Sequence, residues 1–148
     1  MNIVHVNTND ISSLIKLTTV VVNESVDAPI EEKTKIIESI HSNINEWAIK
    51  KNCVFLRYQD NNITIGFVLI KEYWNFSDLF VLPSKQRQGI GIKLAKKAML
   101  ICKEKANKSN IRVNSSLNAV GFYKKLGFVN IQIDDEIAKY LVPLEFRF

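Results

Sequence analysis

A glycine-containing turn between a short apolar strand and a long lysine-rich helix constrains the fold of this chain most. The turn, residues 86–91, follows the apolar run at residues 79–82 and Pro83. Amides in the first turn of a helix lack intrahelical acceptors, and the helix dipole adds partial positive charge there. Gly89 and Gly91 lack the Cβ atoms that would hold a phosphate away from this backbone. The segment therefore predicts a strand–turn–helix unit that binds an anionic group such as a pyrophosphate.

Length and composition favour one globular domain over residues 1–148. The chain is 47% hydrophobic, which is enough for a core, but no apolar run is long enough to span a bilayer. Its first six residues lack the basic and apolar regions of a signal peptide. Cys53 and Cys102 lie far apart within apolar patterns, which is typical of buried free thiols in a reducing compartment. These features predict a cytoplasmic protein without a membrane anchor or a metal site.

Basic residues are concentrated in the part of the chain that contains the glycine turn. Between residues 84 and 125, eleven side chains are Lys or Arg and only Glu104 is acidic. Such a block fits nucleic acid, a membrane surface or a phosphorylated ligand, and its distal lysines also fit a solvated helix face. The overlap with the glycine turn favours a phosphorylated ligand. Nucleic acid is less expected, because the chain lacks a recognition-helix pair, a zinc pattern or aromatic platforms among the basic residues.

Periodicity and turn chemistry predict alternating helices and strands without linkers or repeats. Asp10 is expected to cap the first helix, and Pro29 to occupy the first position of the second. The polar run at residues 59–62 predicts a hairpin, Gly127 is placed to end the last helix, and Pro143 indicates an edge or a bulge in the last strand. The predicted strands are residues 3–6, 53–58, 63–71, 75–81, 111–113, 128–133 and 140–146, and the predicted helices are residues 10–23, 29–47, 89–107 and 117–126.

A second motif lies downstream of the glycine turn. Residues 119–128 read Ala-Val-Gly-Phe-Tyr-Lys-Lys-Leu-Gly-Phe and follow a predicted strand. A glycine turn alone occurs in many loops, but the two motifs in this order of elements resemble the GCN5-related N-acetyltransferases (GNAT), which use acetyl-CoA. The resemblance implies an α/β (α+β) fold: a mixed, mostly antiparallel sheet of six to seven strands, flanked by about four helices and splayed between strands four and five.

The resemblance also implies a reaction. The acetyl group of acetyl-CoA would pass to a primary amine of a small molecule, protein or peptide by direct attack in a ternary complex, without a metal. The alternative is a catalytically inactive acetyl-CoA-binding module that acts as a sensor or a partner subunit, and a nucleic-acid-binding domain comes third. A monomer and a homodimer fit equally well.

Coenzyme A can be placed on this chain through the resemblance. The pyrophosphate is expected at the glycine turn and the pantetheine arm beside the end of the fourth strand. Many members carry Asn where this chain has Ser116, with Asn114 and Asn118 nearby. The cofactor-binding residues so implied are Leu79, Phe80, Val81, Gln86, Arg87, Gln88, Gly89, Ile90, Gly91, Ile92, Asn118 and Tyr123.

Catalytic roles follow for Tyr123 and Phe80. As a general acid, the Tyr123 phenol would protonate the departing thiolate, and the backbone N–H of Phe80 would polarise the thioester carbonyl. The alternative for Tyr123 is a packing aromatic on an amphipathic helix. For the general base, Asp78 and Glu72 lie nearest the expected thioester, although a solvent-facing alternate position in the strand would also explain Asp78. Weaker base candidates are His41 and Glu145.

Acidic residues around the expected acceptor cleft predict an affinity for a cationic acceptor. A polyamine, an aminoglycoside or a lysine side chain would fit such a rim. The alternative is that these acids only cap helices and balance charge. Trp47, Tyr73 and Trp74 would stack on the acceptor or fill the core. The acids are Glu24, Asp27, Glu31, Glu32, Glu38, Glu46, Asp134, Asp135 and Glu136.

Overall fold

Seven strands and four helices make up the part of the chain that the structure, a computed structural model, describes: residues 2–105, 108–132 and 141–148. No helix within these ranges is long and apolar enough to cross a membrane. The strands are β1 (Asn2–His5), β2 (Cys53–Asp60), β3 (Ile63–Lys71), β4 (Asn75–Val81), β5 (Asn110–Ser116), β6 (Val129–Asn130) and β7 (Leu141–Arg147). The helices are α1 (Ile11–Ser25), α2 (Ile30–Trp47), α3 (Ile90–Lys105) and α4 (Val120–Lys125).

The strands form one sheet in the order β1-β2-β3-β4-β5-β7-β6. Every neighbouring pair is antiparallel except β4 and β5, which are parallel. The parallel pairing is confined to Asn75 with Arg112 and Phe76 with Val113, so the two strands separate toward their carboxyl ends. The expected mixed sheet, splayed between the fourth and fifth strands, is therefore confirmed.

Helices cover both faces of the sheet. The side chains of α1 and α2 pack on one face against Phe55, Phe67 and Leu69, and those of α3 and α4 pack on the other face against Val68 and Ile70. Strand β3 is therefore buried on both sides, which explains its nearly continuous apolar sequence.

The helix starts differ from the predicted ones by a residue or a turn. Asp10 does not cap α1; its carboxylate accepts a hydrogen bond from Asn7 N at 2.9 Å and pairs with Arg57 at 3.2 Å. The capping side chain is Asn7, which accepts from Asn9 N and opens a 3-10 turn that leads into α1. Pro29 is the residue before the first turn of α2 and not its first helical position.

The predicted hairpin between β2 and β3 is confirmed. Asn61 and Asn62 have φ values of 49° and 66°, the left-handed pair that a two-residue type I′ turn requires. Asn tolerates this conformation better than most residues, so the polar run indicated both the turn and its position.

Pro143 was expected at an edge or a bulge, but β7 lies between β5 and β6 and pairs with β5 without a register shift. The carbonyl of Pro143 accepts from Ile131 N at 3.3 Å, just past the end of β6. Since N and O of one strand residue face the same neighbour, the missing N–H faces the short strand β6. The end of the predicted α3 at residues 106–107 and the start of the predicted last strand at residue 140 lie outside the described residues.

Gly127 ends α4 as predicted, and its conformation predicts an effect on stability. Its φ is 105°, and a Cβ there would lie 2.9 Å from Phe146 Cε2. We expect Gly127→Ala to lower the free energy of unfolding in urea by about 1–3 kcal/mol. The matched control is Gly121→Ala in α4, where a Cβ would meet nothing within 4 Å and alanine favours the helix. Equal unfolding free energies for the two variants would contradict the prediction.

Candidate active site

The separation of β4 from β5 opens a cleft of about 590 Å³. It is bounded by the end of β4, the turn before α3, the first turn of α3, and α4 with the turn before it. Of the residues predicted to bind coenzyme A, all but Phe80 and Gln88 line this cleft. The lining residues that the sequence did not indicate are Lys85, Ala119, Phe122 and Lys125.

The glycine turn presents free backbone amides at one end of the cleft. Lys93 N donates to Gly89 O at 3.0 Å, so the amides that precede Lys93 in α3 have no intrahelical acceptor. Arg87 and Gly89 have φ values of 63° and 80°, and a Cβ on Gly89 would meet nothing within 4 Å. Glycine is therefore favoured at position 89 by backbone conformation, and the space beside it is open. With Lys85, Arg87 and Lys125 along the same cleft, this end is suited to an anionic group.

The register of β4 decides which of its amides face the cleft. Leu82 N donates to Ile65 O at 2.9 Å, and hydrogen-bonded pairs alternate along an antiparallel ladder, so the Phe80 N–H is directed at β3. The amides of Leu79 and Val81 point the other way, into the gap beside β5. The Phe80 amide is thus directed away from the gap, which does not fit the role predicted for it. The Phe80 ring packs on the opposite side, 5.6 Å from the Phe67 ring centroid.

Tyr123 packs its ring in the core and also lines the cleft. The residue is only 8% exposed, and its ring packs edge-on against Phe76 at 5.3 Å and Phe128 at 5.5 Å. The hydroxyl makes no hydrogen bond with the residues that the structure describes, yet it is not closed off from solvent. Burial, and then the charge of Asp78, raise the pKa of Tyr123, so its hydroxyl stays protonated.

A bulge in β4 places Asp78 on the sheet face that α2 covers. Leu69 pairs with Asp78 but Ile70 pairs with Phe76, so Ser77 is an extra residue in the strand. As a result, Asn43 of α2 donates through Nδ2 to both Ser77 Oγ (3.4 Å) and Asp78 Oδ2 (3.3 Å). Asp78 is 8% exposed, which corrects the interpretation of a solvent-facing alternate position.

The environment of Asp78 suits a proton acceptor. Burial raises the pKa of its carboxyl, while hydrogen bonds from Ser77 and Asn43 and the positive charge of Lys71 oppose that rise. The Ser77 hydroxyl, like Asn43, donates to Oδ2, at 3.0 Å. The other oxygen, Oδ1, has no hydrogen-bond partner within the described ranges and is not closed off from solvent. Two hydrogen bonds thus hold Oδ2, and Oδ1 is left available to accept a proton.

The remaining base candidates contact groups other than Asp78 and Tyr123. Glu72 is exposed in the turn before β4, at the end opposite the glycine turn, and accepts from Trp74 Nε1 at 3.2 Å. His41 contacts Thr19 Oγ1 between α1 and α2 at 3.4 Å. Glu145 is buried on β7, where it accepts from Asn110 and pairs with Arg147.

Parts of the predicted acceptor rim have other partners. Glu46 pairs with Lys50 at 2.9 Å, and the buried Trp47 ring lies 4.3 Å from the Lys50 Nζ. The Tyr73 hydroxyl donates to Lys51 O, and Lys108 lies over the Trp74 ring. Asp134, Asp135 and Glu136 lie outside the described residues. Within the described ranges, no group of three or more His, Cys, Asp or Glu side chains is placed to hold a metal ion.

Sequence reasoning missed Asn43 and Lys71 as neighbours of Asp78. Lys71 Nζ donates to Asn43 Oδ1 at 2.9 Å, which connects β3 with α2 and, through Asn43, with β4. These contacts join residues far apart in the chain, and those of Asn43 with β4 depend on the bulge at Ser77, so no local sequence signal marks them.

A family model identifies the family to which this splayed sheet and its cleft belong. The model described as an acetyltransferase (GNAT) domain matches residues 20–142. Because this match spans most of the chain, the protein belongs to the GNAT acetyltransferase family.

Solved structures share the fold over nearly the whole chain. A GCN5-related N-acetyltransferase of Rhodopseudomonas palustris is 17% identical with a TM-score of 0.80, covering 99% of this chain and 95% of that one. The PaiA N-acetyltransferase of Thermoplasma acidophilum, solved with coenzyme A, is 20% identical with a TM-score of 0.80, covering 99% and 98%. A GNAT acetyltransferase of Brucella melitensis, solved with acetyl-CoA, is 16% identical with a TM-score of 0.64, covering 95% and 93%. No curated protein matches this chain.

Proposed function

We propose that this protein transfers the acetyl group of acetyl-CoA to a primary amine of a small molecule or a peptide, by direct attack in a ternary complex. The observation that carries the proposal is the cleft between β4 and β5. The free amides of α3, the gap-facing amides of β4 and Tyr123 all belong to residues that line this one cleft. Relatives of the same fold that were solved with coenzyme A and with acetyl-CoA support this ligand.

Coenzyme A fits the charge and the hydrogen-bonding groups of the cleft. Its diphosphate would accept hydrogen bonds from the first-turn amides of α3, with Lys85, Arg87 and Lys125 supplying positive charge. Its pantetheine arm contains two amides, which can pair with the gap-facing amides of Leu79 and Val81 as an added strand would. The Val81 carbonyl already accepts a hydrogen bond from Gln86 Nε2 at 3.0 Å.

The proposed chemistry assigns one group to each charge that develops. The amine attacks the thioester carbonyl carbon, and the Leu79 or Val81 amide stabilises the resulting oxyanion. The carbon–sulfur bond then breaks, and the neutral Tyr123 hydroxyl donates a hydrogen bond to the departing thiolate. Before the attack, the acceptor ammonium gives one proton to Asp78 Oδ1, whose raised pKa brings it closer to the working pH. The second proton, left on nitrogen in the tetrahedral intermediate, passes to the departing thiolate through the Tyr123 hydroxyl, so that a neutral amide and a free thiol are formed.

A transfer assay tests the proposal. The protein is mixed with acetyl-CoA and, in turn, with a polyamine, an aminoglycoside and a lysine-containing peptide, while thiol release and the mass of the amine are followed. We expect one thiol to be released for each acetylated amine. Acetyl-CoA binding without transfer to any amine would instead support the inactive binding module.

Replacing Asp78 with Asn tests the base. We expect Asp78→Asn to lower kcat/KM by about ten- to hundredfold at neutral pH, because the amide cannot accept the proton. The wild-type rate should fall as the pH drops through the pKa of Asp78, and this acidic limb should be absent in Asp78→Asn. An unchanged limb in the variant would assign it to another group.

A further inference from the structure

A chain of polar contacts connects β3, α2 and β4 on the sheet face that α2 covers. It begins at Lys71 Nζ, which donates to Asn43 Oδ1 at 2.9 Å and lies 5.5 Å from the Trp47 ring centroid. It continues from Asn43 Nδ2 to Asp78 Oδ2 at 3.3 Å. The chain ends at the buried carboxylate of Asp78, whose charge also acts on Tyr123.

The Asn43 amide can serve Asp78 in only one orientation. An amide has one oxygen acceptor and one nitrogen that donates two hydrogen bonds. Because Lys71 donates to Oδ1, Nδ2 is turned toward Asp78 and Ser77. A flipped amide would set its oxygen against the carboxylate and its NH₂ against the ammonium, and both contacts would be unfavourable. Lys71 therefore fixes which end of Asn43 meets Asp78.

We propose that Asn43 and Lys71 are positioning residues, which hold the Asp78 carboxylate by Oδ2 so that Oδ1 is presented to the acceptor amine. This inference rests on the proposed function and deepens it. Both hydrogen bonds to Asp78, from Asn43 and Ser77, reach Oδ2, and none from the described residues reaches Oδ1. The acceptor's ammonium would thus meet Oδ1, whose direction is set by the hydrogen bonds that Asn43 and Ser77 make to Oδ2.

The charges around Asp78 determine the sign of the expected pH effect. The hydrogen bond from Ser77, the positive charge of Lys71 on β3 and the hydrogen bond from Asn43 on α2 each lower its pKa. The charge of Asp78 in turn raises the pKa of Tyr123 on α4. Glu46, also on α2, is close enough to Lys71 for that charge to lower its own pKa. Burial is the largest influence on Asp78 and raises its pKa. Loss of Lys71 or of the Asn43 donor leaves burial less opposed, so the pKa of Asp78 should rise further.

The test compares pH profiles of kcat/KM for Lys71→Met and Asn43→Leu with the wild type. A base with a higher pKa is protonated at higher pH, so the acidic limb should move to higher pH in both variants. At pH values on the acidic limb, kcat/KM of each variant should be about tenfold lower than that of the wild type. At higher pH, where the profile is flat, kcat/KM should change far less. Lys71→Arg keeps the charge and the donor and should restore most of the wild-type profile.

Lys50→Met is the matched control. Lys50 lies over the same Trp47 ring, at 4.3 Å, but bonds Glu46 and makes no contact with Asn43 or Asp78. The acidic limb of the kcat/KM profile of Lys50→Met should coincide with that of the wild type. A limb that stays in place in both Lys71→Met and Asn43→Leu, or that moves equally in Lys50→Met, would overturn the inference.

A titration of the Asp78 carboxyl carbon by ¹³C NMR, on the protein without substrates, gives a readout that does not need turnover. A pKa that rises in Lys71→Met and Asn43→Leu but not in Lys50→Met supports the positioning roles, even if no amine in the transfer assay is acetylated. An unchanged carboxyl titration in folded variants overturns them, whatever the activity. Failure of the inference and failure of the proposed function are therefore distinguishable.

Discussion

Gly89→Asp is expected to weaken acetyl-CoA binding by at least about hundredfold, because like charges placed together at a binding site cost several kcal/mol. A Cβ at position 89 would enter the open space beside the first-turn amides of α3. The added carboxylate would then lie where the diphosphate is proposed to bind. Binding is measured by calorimetric titration, and the folded state of the variant is checked by thermal denaturation.

Gly89→Asn is the matched control, because it separates charge from shape. Asn has the size of Asp, carries no charge and tolerates the left-handed φ of 80° better than most residues. We expect it to weaken binding by less than about tenfold. Equal losses in the two variants would indicate that backbone strain and not charge matters, and undiminished binding in Gly89→Asp would place the diphosphate elsewhere.

Tyr123→Phe is expected to lower kcat by about 10²–10⁴-fold while leaving the Kd for acetyl-CoA nearly unchanged. The substitution keeps the ring, which packs against Phe76 and Phe128, and removes only a hydroxyl that has no partner among the described residues. The free energy of unfolding should therefore change little. Single-turnover measurements at saturating acetyl-CoA separate the chemical step from binding.

The control for Tyr123→Phe is Tyr73→Phe. Tyr73 lies in the turn before β4 and does not line the cleft, and its hydroxyl donates to Lys51 O at 2.9 Å. This variant should turn over like the wild type. If Tyr123→Phe lost binding and rate by the same factor, or kept the full rate, the hydroxyl would not act on the leaving thiolate.

Local chemistry explains what the sequence could predict. The Asn pair at residues 61–62, the glycine turn and Gly127 each act through their own backbone conformation, so the hairpin, the start of α3 and the end of α4 were predictable. The splay of the sheet followed only from the family resemblance, because the two residue pairs that join β4 to β5 leave no pattern in the sequence.

Non-local geometry explains what the sequence could not predict. The extra residue at Ser77 changes the alternation of β4. This change places Asp78 on the face that α2 covers and turns the amides of Leu79 and Val81, rather than that of Phe80, toward the gap. A bulge depends on how β3 pairs with β4, and neither strand marks it alone. The contact of Lys71 with Asn43 depends in turn on where α2 lies over the sheet.

Calorimetric titration of the wild-type protein with acetyl-CoA, at low and at moderate salt, tests the central claim most directly. We expect saturable binding of one acetyl-CoA per chain at both salt concentrations. Binding should weaken only moderately at the higher one, because backbone amides as well as lysines are proposed to bind the diphosphate. Absence of binding at both concentrations would contradict the acetyl-CoA site between β4 and β5, and with it the proposed reaction.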